Sequence, residues 1–142
     1  MGAAVADVVR DACIAGPPDA RLAALADHAG CGLVEETDVF ARLDRAVRAS
    51  RGDRVFVLAA GYAPMSGFID EMSDWSLSAT PPAMALRAEP DSLARRIFPA
   101  LAPCVGIVAI RQDLLAAKAE TPATLARKLR ARTLVTRARR VV

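Results

Sequence analysis

Two short, almost charge-free runs constrain this chain more than anything else in it: Arg54-Val-Phe-Val-Leu-Ala-Ala-Gly61 and Cys104-Val-Gly-Ile-Val-Ala-Ile-Arg111. Both are rich in β-branched residues, and both follow amphipathic helical segments. A strand with one wet face would alternate apolar and polar residues; these runs do not, so they read as strands buried on both faces. Strands covered by helices on both sides belong to a parallel α/β sheet. The two runs are expected side by side inside the molecule.

The helical segments around them are legible from caps and stripes. Leu22, Leu25, Ala26 and Ala29 share one face of a helix over residues 21–29, which Gly30 stops. Residues 31–35 form a short strand candidate. Asp38 caps a helix to about Ser50, with Val39, Phe40, Leu43, Ala46 and Val47 as its inner face and Arg42, Arg45 and Arg48 outside. Residues 61–67 read as a loop. A helix over residues 68–75 buries Phe68, Met72 and Trp75 and exposes Asp70, Glu71 and Asp74. A strand over residues 83–87 and a helix opened by Glu89-Pro-Asp91 lead to Pro99 and Pro103 and the second buried run. Residues 113–118 are helical, and Thr121-Pro122 caps a final basic helix running toward Arg132 or beyond. Residues 1–16 form a short helix or stay loose.

Two β-α-β units recur in this order, over residues 32–59 and 83–111. The expected fold is therefore a three-layer α/β/α sandwich around a mostly parallel four-stranded sheet, with a basic C-terminal helix. Residues 1–120 form the sandwich domain and residues 121–142 the basic helical tail.

Composition narrows the setting. No charge-free run reaches the 18 or so residues of a membrane-spanning helix. The start lacks the basic region of a signal peptide, and Ala6 breaks the myristoylation pattern. Cys13, Cys31 and Cys104 lack metal-ligand spacing, which fits reduced thiols in a cytoplasmic protein. Net charge is +3, but residues 121–142 carry seven cations and no acid, leaving twelve basic against sixteen acidic groups before them. The body is mildly acidic and the tail strongly basic.

With that order established, the chain resembles the ribosomal-protein family that binds kink-turn RNA, whose fold recurs in the last domain of Pelota-type release factors. The likeness lies in Arg21-Leu-Ala-Ala-Leu-Ala-Asp-His-Ala-Gly-Cys-Gly-Leu-Val34, in Val55-Phe-Val-Leu-Ala59, and in Val105-Gly-Ile-Val-Ala-Ile-Arg-Gln-Asp113 with Leu114-Leu-Ala-Ala-Lys118. It covers about residues 20–118, and the tail lies outside it. Kink-turn binders in that family carry Gly-x-Asn-Glu-x-x-Lys, where this chain has Gly32-Leu-Val-Glu-Glu-Thr-Asp38. The resemblance therefore implies the fold without the kink-turn grip.

No catalytic signature stands out, and neither a metal nor a cofactor is expected. Glu35, Glu36 and Asp38 crowd one helix start, where the dipole alone favours them. His28 is the sole histidine, and its closeness to Cys31 at a helix end is simplest as chance. Gly61, Tyr62, Ser66 and Gly67 lie where open α/β sheets bind ligands, yet their spacing matches neither the dinucleotide nor the P-loop pattern. That loop is a candidate small-ligand site, and a turn is the simpler account.

The tail carries the strongest signal outside the core. Arg127, Lys128, Arg130, Arg132, Arg137, Arg139 and Arg140 would attract phosphate backbones through counterion release, and Arg42, Arg45 and Arg48 add a second basic face. The function expected is non-enzymatic binding of structured RNA or a ribonucleoprotein. The alternative is a subunit of a larger assembly, its tail docked on an acidic protein. No membrane association is expected, and the oligomeric state stays open.

Overall fold

The computed structural model describes residues 9–141. In order the elements are β1 (Cys13–Gly16), α1 (Ala20–Ala29), β2 (Gly32–Glu35), α2 (Val39–Ala49), β3 (Arg54–Leu58) and β4 (Tyr62–Pro64). There follow α3 (Phe68–Ser76), β5 (Met84–Ala88), α4 (Leu93–Ile97), a 3₁₀ turn (Pro99–Leu101), β6 (Cys104–Ile110), α5 (Arg111–Ala117), α6 (Pro122–Lys128) and β7 (Arg132–Arg140).

Local signals place most of these elements. The Asp19 side chain caps α1 and Gly30 closes it in the left-handed region, as a helix stop requires. Asp38 caps α2, but the expected inner face is only partly inside. Val47 is buried, whereas Val39 is 56% exposed and Phe40 67% exposed. The helix suggested for residues 1–16 lies partly outside the described residues, and its last four residues are strand β1.

The sheet overturns the expected architecture. Five strands run in the order β3-β6-β5-β7-β4, and β1 and β2 form a separate parallel pair. The only parallel contact in the larger sheet is β5 with β7; β3–β6, β5–β6 and β4–β7 are antiparallel. The two charge-free runs are hydrogen-bonded neighbours, with Arg54 opposite Ile110 and Leu58 opposite Gly106. They run in opposite directions, however, and β3 is an edge.

Neither β-α-β unit exists as a parallel crossover. Five-residue α4 is about 7.5 Å long, while a strand the length of β5 runs about 17 Å. So short a helix cannot carry the chain back along the strand, and β6 starts from the end where β5 finished. Pro90, Pro99 and Pro103 bracket the connection and keep it short. In the first unit, β2 pairs with β1 rather than with β3.

The basic C-terminal helix is also corrected. Helix α6 stops at Lys128, Arg130 takes a left-handed φ of 50°, and the chain continues as the nine-residue strand β7. Leu134, Thr136 and Ala138 are buried, while Val135 and Arg139 between and beyond them are exposed. That alternation is a strand's. The tail is thus built into the sheet, between β5 and β4.

Strands β3 and β4 form opposite edges, yet only residues 59–61 join them. The edges of a flat five-stranded sheet stand roughly 19 Å apart. Four Cα–Cα steps reach at most about 15 Å. The sheet must therefore curl until it is nearly a barrel.

Two cores lie on its two faces. Phe68 and Met72 of α3 pack with Leu86, Ala88, Val105, Val108, Leu134 and Ala138. On the other face Val47, Leu114 and Leu125 of α2, α5 and α6 pack with Ile107 and Ala109. Strand β6 serves both cores. Its Gly106 is the point of closest approach, since a Cβ there would lie 3.0 Å from the Val57 carbonyl oxygen and 3.3 Å from Leu86 Cβ.

Candidate functional site

Of the ten cations expected to bind a partner, Arg42, Arg45, Arg48 and Lys128 already hold groups within the protein. Arg42 donates from Nε to the Glu36 carbonyl at 3.1 Å, tying α2 to the turn before it. Arg45 pairs with Glu36 at 2.8 Å, and Arg48 with Asp44 at 2.7 Å. The backbone N–H of Asp38 and the Arg45 side chain hold the Glu36 carboxyl below the ordinary carboxylate range. The acidic cluster at the start of α2 is thus largely a scaffold for that helix and its arginines. A shallow depression beside it is lined by Leu33, Val34, Glu35, Arg45 and Ala49.

The C-terminal cations divide into two groups. Lys128 is exposed, but its Nζ is engaged, donating to the carbonyls of Ala117 and Lys118 at 3.0 and 3.2 Å and capping α5. Arg127, Arg130 and Arg132 are exposed where α6 turns into β7. At the far end of β7, Arg139 and Arg140 are exposed and Arg137 is half-buried. Seven cations without an acid still give this end of the chain a positive field.

The glycine-bounded loop contains a strand. Tyr62, Ala63 and Pro64 pair with Arg140, Arg139 and Ala138, and Gly61 and Gly67 take positive φ at either side. Gly67 starts α3, and Ser66 beside it is exposed. Asp70 and Glu71 already occupy the first turn of that helix, supplying negative charge where a bound anion would otherwise sit.

Glu71 has a role that its place on an acidic helical stripe concealed. It accepts hydrogen bonds from the N–H of Val135 at 3.0 Å, the N–H of Thr136 and the Thr136 hydroxyl. These groups lie in the irregular stretch of β7 where the register against β5 shifts between Ala85 and Arg87. A bulge leaves N–H groups without ladder partners, and one carboxylate collects them. Burial pushes the Glu71 carboxyl up, but the Thr136 and Val135 donors outweigh it and hold the group below its ordinary value.

Two further arginines act as clasps. Arg111, at the start of α5, donates to the carbonyls of Val47 and Arg48 at 3.1 and 2.9 Å, closing the end of α2. Arg54 reaches the carbonyls of Ser76 and Ser78 and lies 5.6 Å from the centre of the Trp75 ring. Neither could be identified from sequence, because each depends on a contact between distant segments.

Burial pushes the Cys13 and Cys104 thiols up, away from thiolate character. All three cysteines are free. Among the described residues no group of three or more His, Cys, Asp or Glu is placed to hold a metal ion, and no helix is long and apolar enough to cross a membrane. Comparison with protein-family models, curated proteins and solved structures finds no match to this chain.

Proposed function

We propose that this is a non-enzymatic binding protein that holds structured RNA or a ribonucleoprotein in the cytoplasm through the cations of α6 and β7. The observation that carries this reading is the run of seven cations without an acid over residues 121–142, with Arg127, Arg130, Arg132 and Arg139 exposed. Exposed guanidinium groups on a folded strand and helix end are suited to phosphate oxygens. The α2 arginines contribute less, since their side chains are already engaged within the helix and its preceding turn.

The test is retention of structured RNA on a filter at two salt concentrations, comparing the intact chain with the triple variant Arg127→Gln, Arg130→Gln, Arg132→Gln. Each lost phosphate contact should reduce the slope of log affinity against log salt by about 0.9. Absence of salt-sensitive retention, or an unchanged slope in the triple variant, defeats the reading.

A second reading rests on a different surface. Leu93, Ile97, Phe98 and Leu101 are 72%, 61%, 62% and 59% exposed along α4 and the 3₁₀ turn. Clustered exposed apolar side chains suit a protein interface, as in a subunit of a larger assembly with its basic tail on an acidic partner. A monomer by light scattering that captures no stoichiometric partner would remove this second reading.

A further inference from the structure

Strand β7 places Arg137 beside Arg87 of β5 as in-register parallel neighbours. Leu86, Ala88 and Ala138 on either side of them fill the first core, so strand alternation turns both arginines to the opposite face. Arg87 is anchored, its Nη1 donating to the carbonyls of Ala100 and Ala102 at 3.2 and 2.7 Å. Arg137 is not: its Nη1 is buried and has no hydrogen-bond partner. The ion pairs of Arg45 with Glu36, Arg48 with Asp44 and Arg95 with Asp91 do not reach Arg87 or Arg137.

This arrangement is unfavourable on its own. Like charges directly across a ladder destabilise it, and a buried donor on a cation without a partner bears the full desolvation cost. One anion between the two side chains would remove both penalties. We infer that Arg87 and Arg137 bind a phosphate group, with Arg137 Nη1 among the donors. The two cations balance a dianion, and guanidinium forks fit adjacent phosphate oxygens. With Nη1 held by two carbonyls, Arg87 keeps Nε and Nη2 for the ligand and loses little freedom on binding. Arg137 is one of the β7 cations in the RNA reading above, whereas Arg127, Arg130 and Arg132 lie where α6 turns into that strand. The bound phosphate could be free in solution or part of a nucleic-acid backbone.

The test uses the intact ¹⁵N-labelled chain and follows the Arg137 Nε–Hε resonance. Inorganic phosphate, or a short RNA duplex, is titrated at constant ionic strength with chloride as the control. A saturable shift with inorganic phosphate and a Tm several degrees above the chloride control support a site for free phosphate. A shift with RNA alone supports a site for backbone phosphate. In Arg137→Gln the ligand-induced gain in Tm should vanish, and the ligand-free variant should melt no lower than the parent, because a like charge has been removed. If neither phosphate nor RNA moves the resonance, or if Arg137→Gln keeps the gain, the inference is overturned. The resonance is read on the unsubstituted chain, so a variant that fails to fold still leaves the question decided. RNA retention that survives Arg137→Gln, beside a lost phosphate response, separates this site from the proposed RNA surface.

Discussion

Glu71 on α3 and Thr136 on β7 are joined twice, the carboxylate accepting from both the backbone N–H and the hydroxyl of Thr136, and it reaches Val135 N–H at 3.0 Å as well. Here a side chain performs the pairing that the bulged strand cannot provide for itself. Thr136 is 8% exposed, so its donors have little access to water as a substitute.

Glu71→Ala is expected to destabilise the protein by about 1–2 kcal/mol, since it strands donors at a part-exposed site. The Glu71 pKa is lowered on folding. Its contribution is therefore fully present above the unfolded value of about 4.3 and is lost as pH falls through the lower, folded value. Urea unfolding of parent and variant should differ near neutral pH and converge in acid. A constant difference across that range contradicts the assignment.

Gly106→Ala should destabilise by about 1–3 kcal/mol through overpacking. The added methyl would meet the Val57 carbonyl oxygen on one side and Leu86 Cβ on another. Both neighbours sit within the hydrogen-bonded sheet and have little room to retreat. A lower urea midpoint with an unchanged m-value is the expected result.

Arg111→Ala removes two hydrogen bonds to the carbonyls that end α2. A loss of about 1.5–3 kcal/mol is expected, because the donor is charged and the helix end has the opposite partial charge. Arg111→Lys should recover only part of it, as an ammonium cannot reproduce the guanidinium fork. Thermal melts of the three proteins give the order directly.

Arg45→Gln should lower stability slightly and leave RNA retention and its salt slope unchanged, since Arg45 is committed to Glu36 at 2.8 Å. A reduced slope in this variant would move the proposed RNA surface onto α2.

A chain ending at Ala131 should lose cooperative unfolding altogether. Strand β7 pairs with β5 on one side and β4 on the other, and Leu134 and Ala138 belong to the core. Point variants at Arg127, Arg130 and Arg132 are thus the sound way to probe the tail's charge. A truncated chain that keeps a sharp urea transition would show the strand to be dispensable.

Local chemistry made most element positions readable. Asp38 and Thr121 cap helices as their sequence context suggests, and the apolar runs at β3 and β6 are strands. Direction and order were less readable, because both depend on where connections return the chain. The brevity of α4, fixed by prolines and by Ser92 as its cap, reverses β6 relative to β5. In β7 the alternation of Leu134, Thr136 and Ala138 was present in the sequence, but a density of arginine that suits a solvated helix masked it. Glu71 showed no signal of its role, since its partners lie more than sixty residues further along. The same distance hides Arg111 behind the carbonyls of Val47 and Arg48.

The curl forced by the three-residue link between β3 and β4 has a consequence for biosynthesis. Tyr62 finds its partner in Arg140, so β4 emerges from the ribosome long before the strand that receives it has been translated. The curled sheet cannot be completed before β7 is made, and until then β4 and β5 lack the strand that joins them. A nascent chain of this kind should depend on chaperone shelter until β7 has emerged, and stalled complexes lacking β7 should be far more protease-sensitive than those that include it.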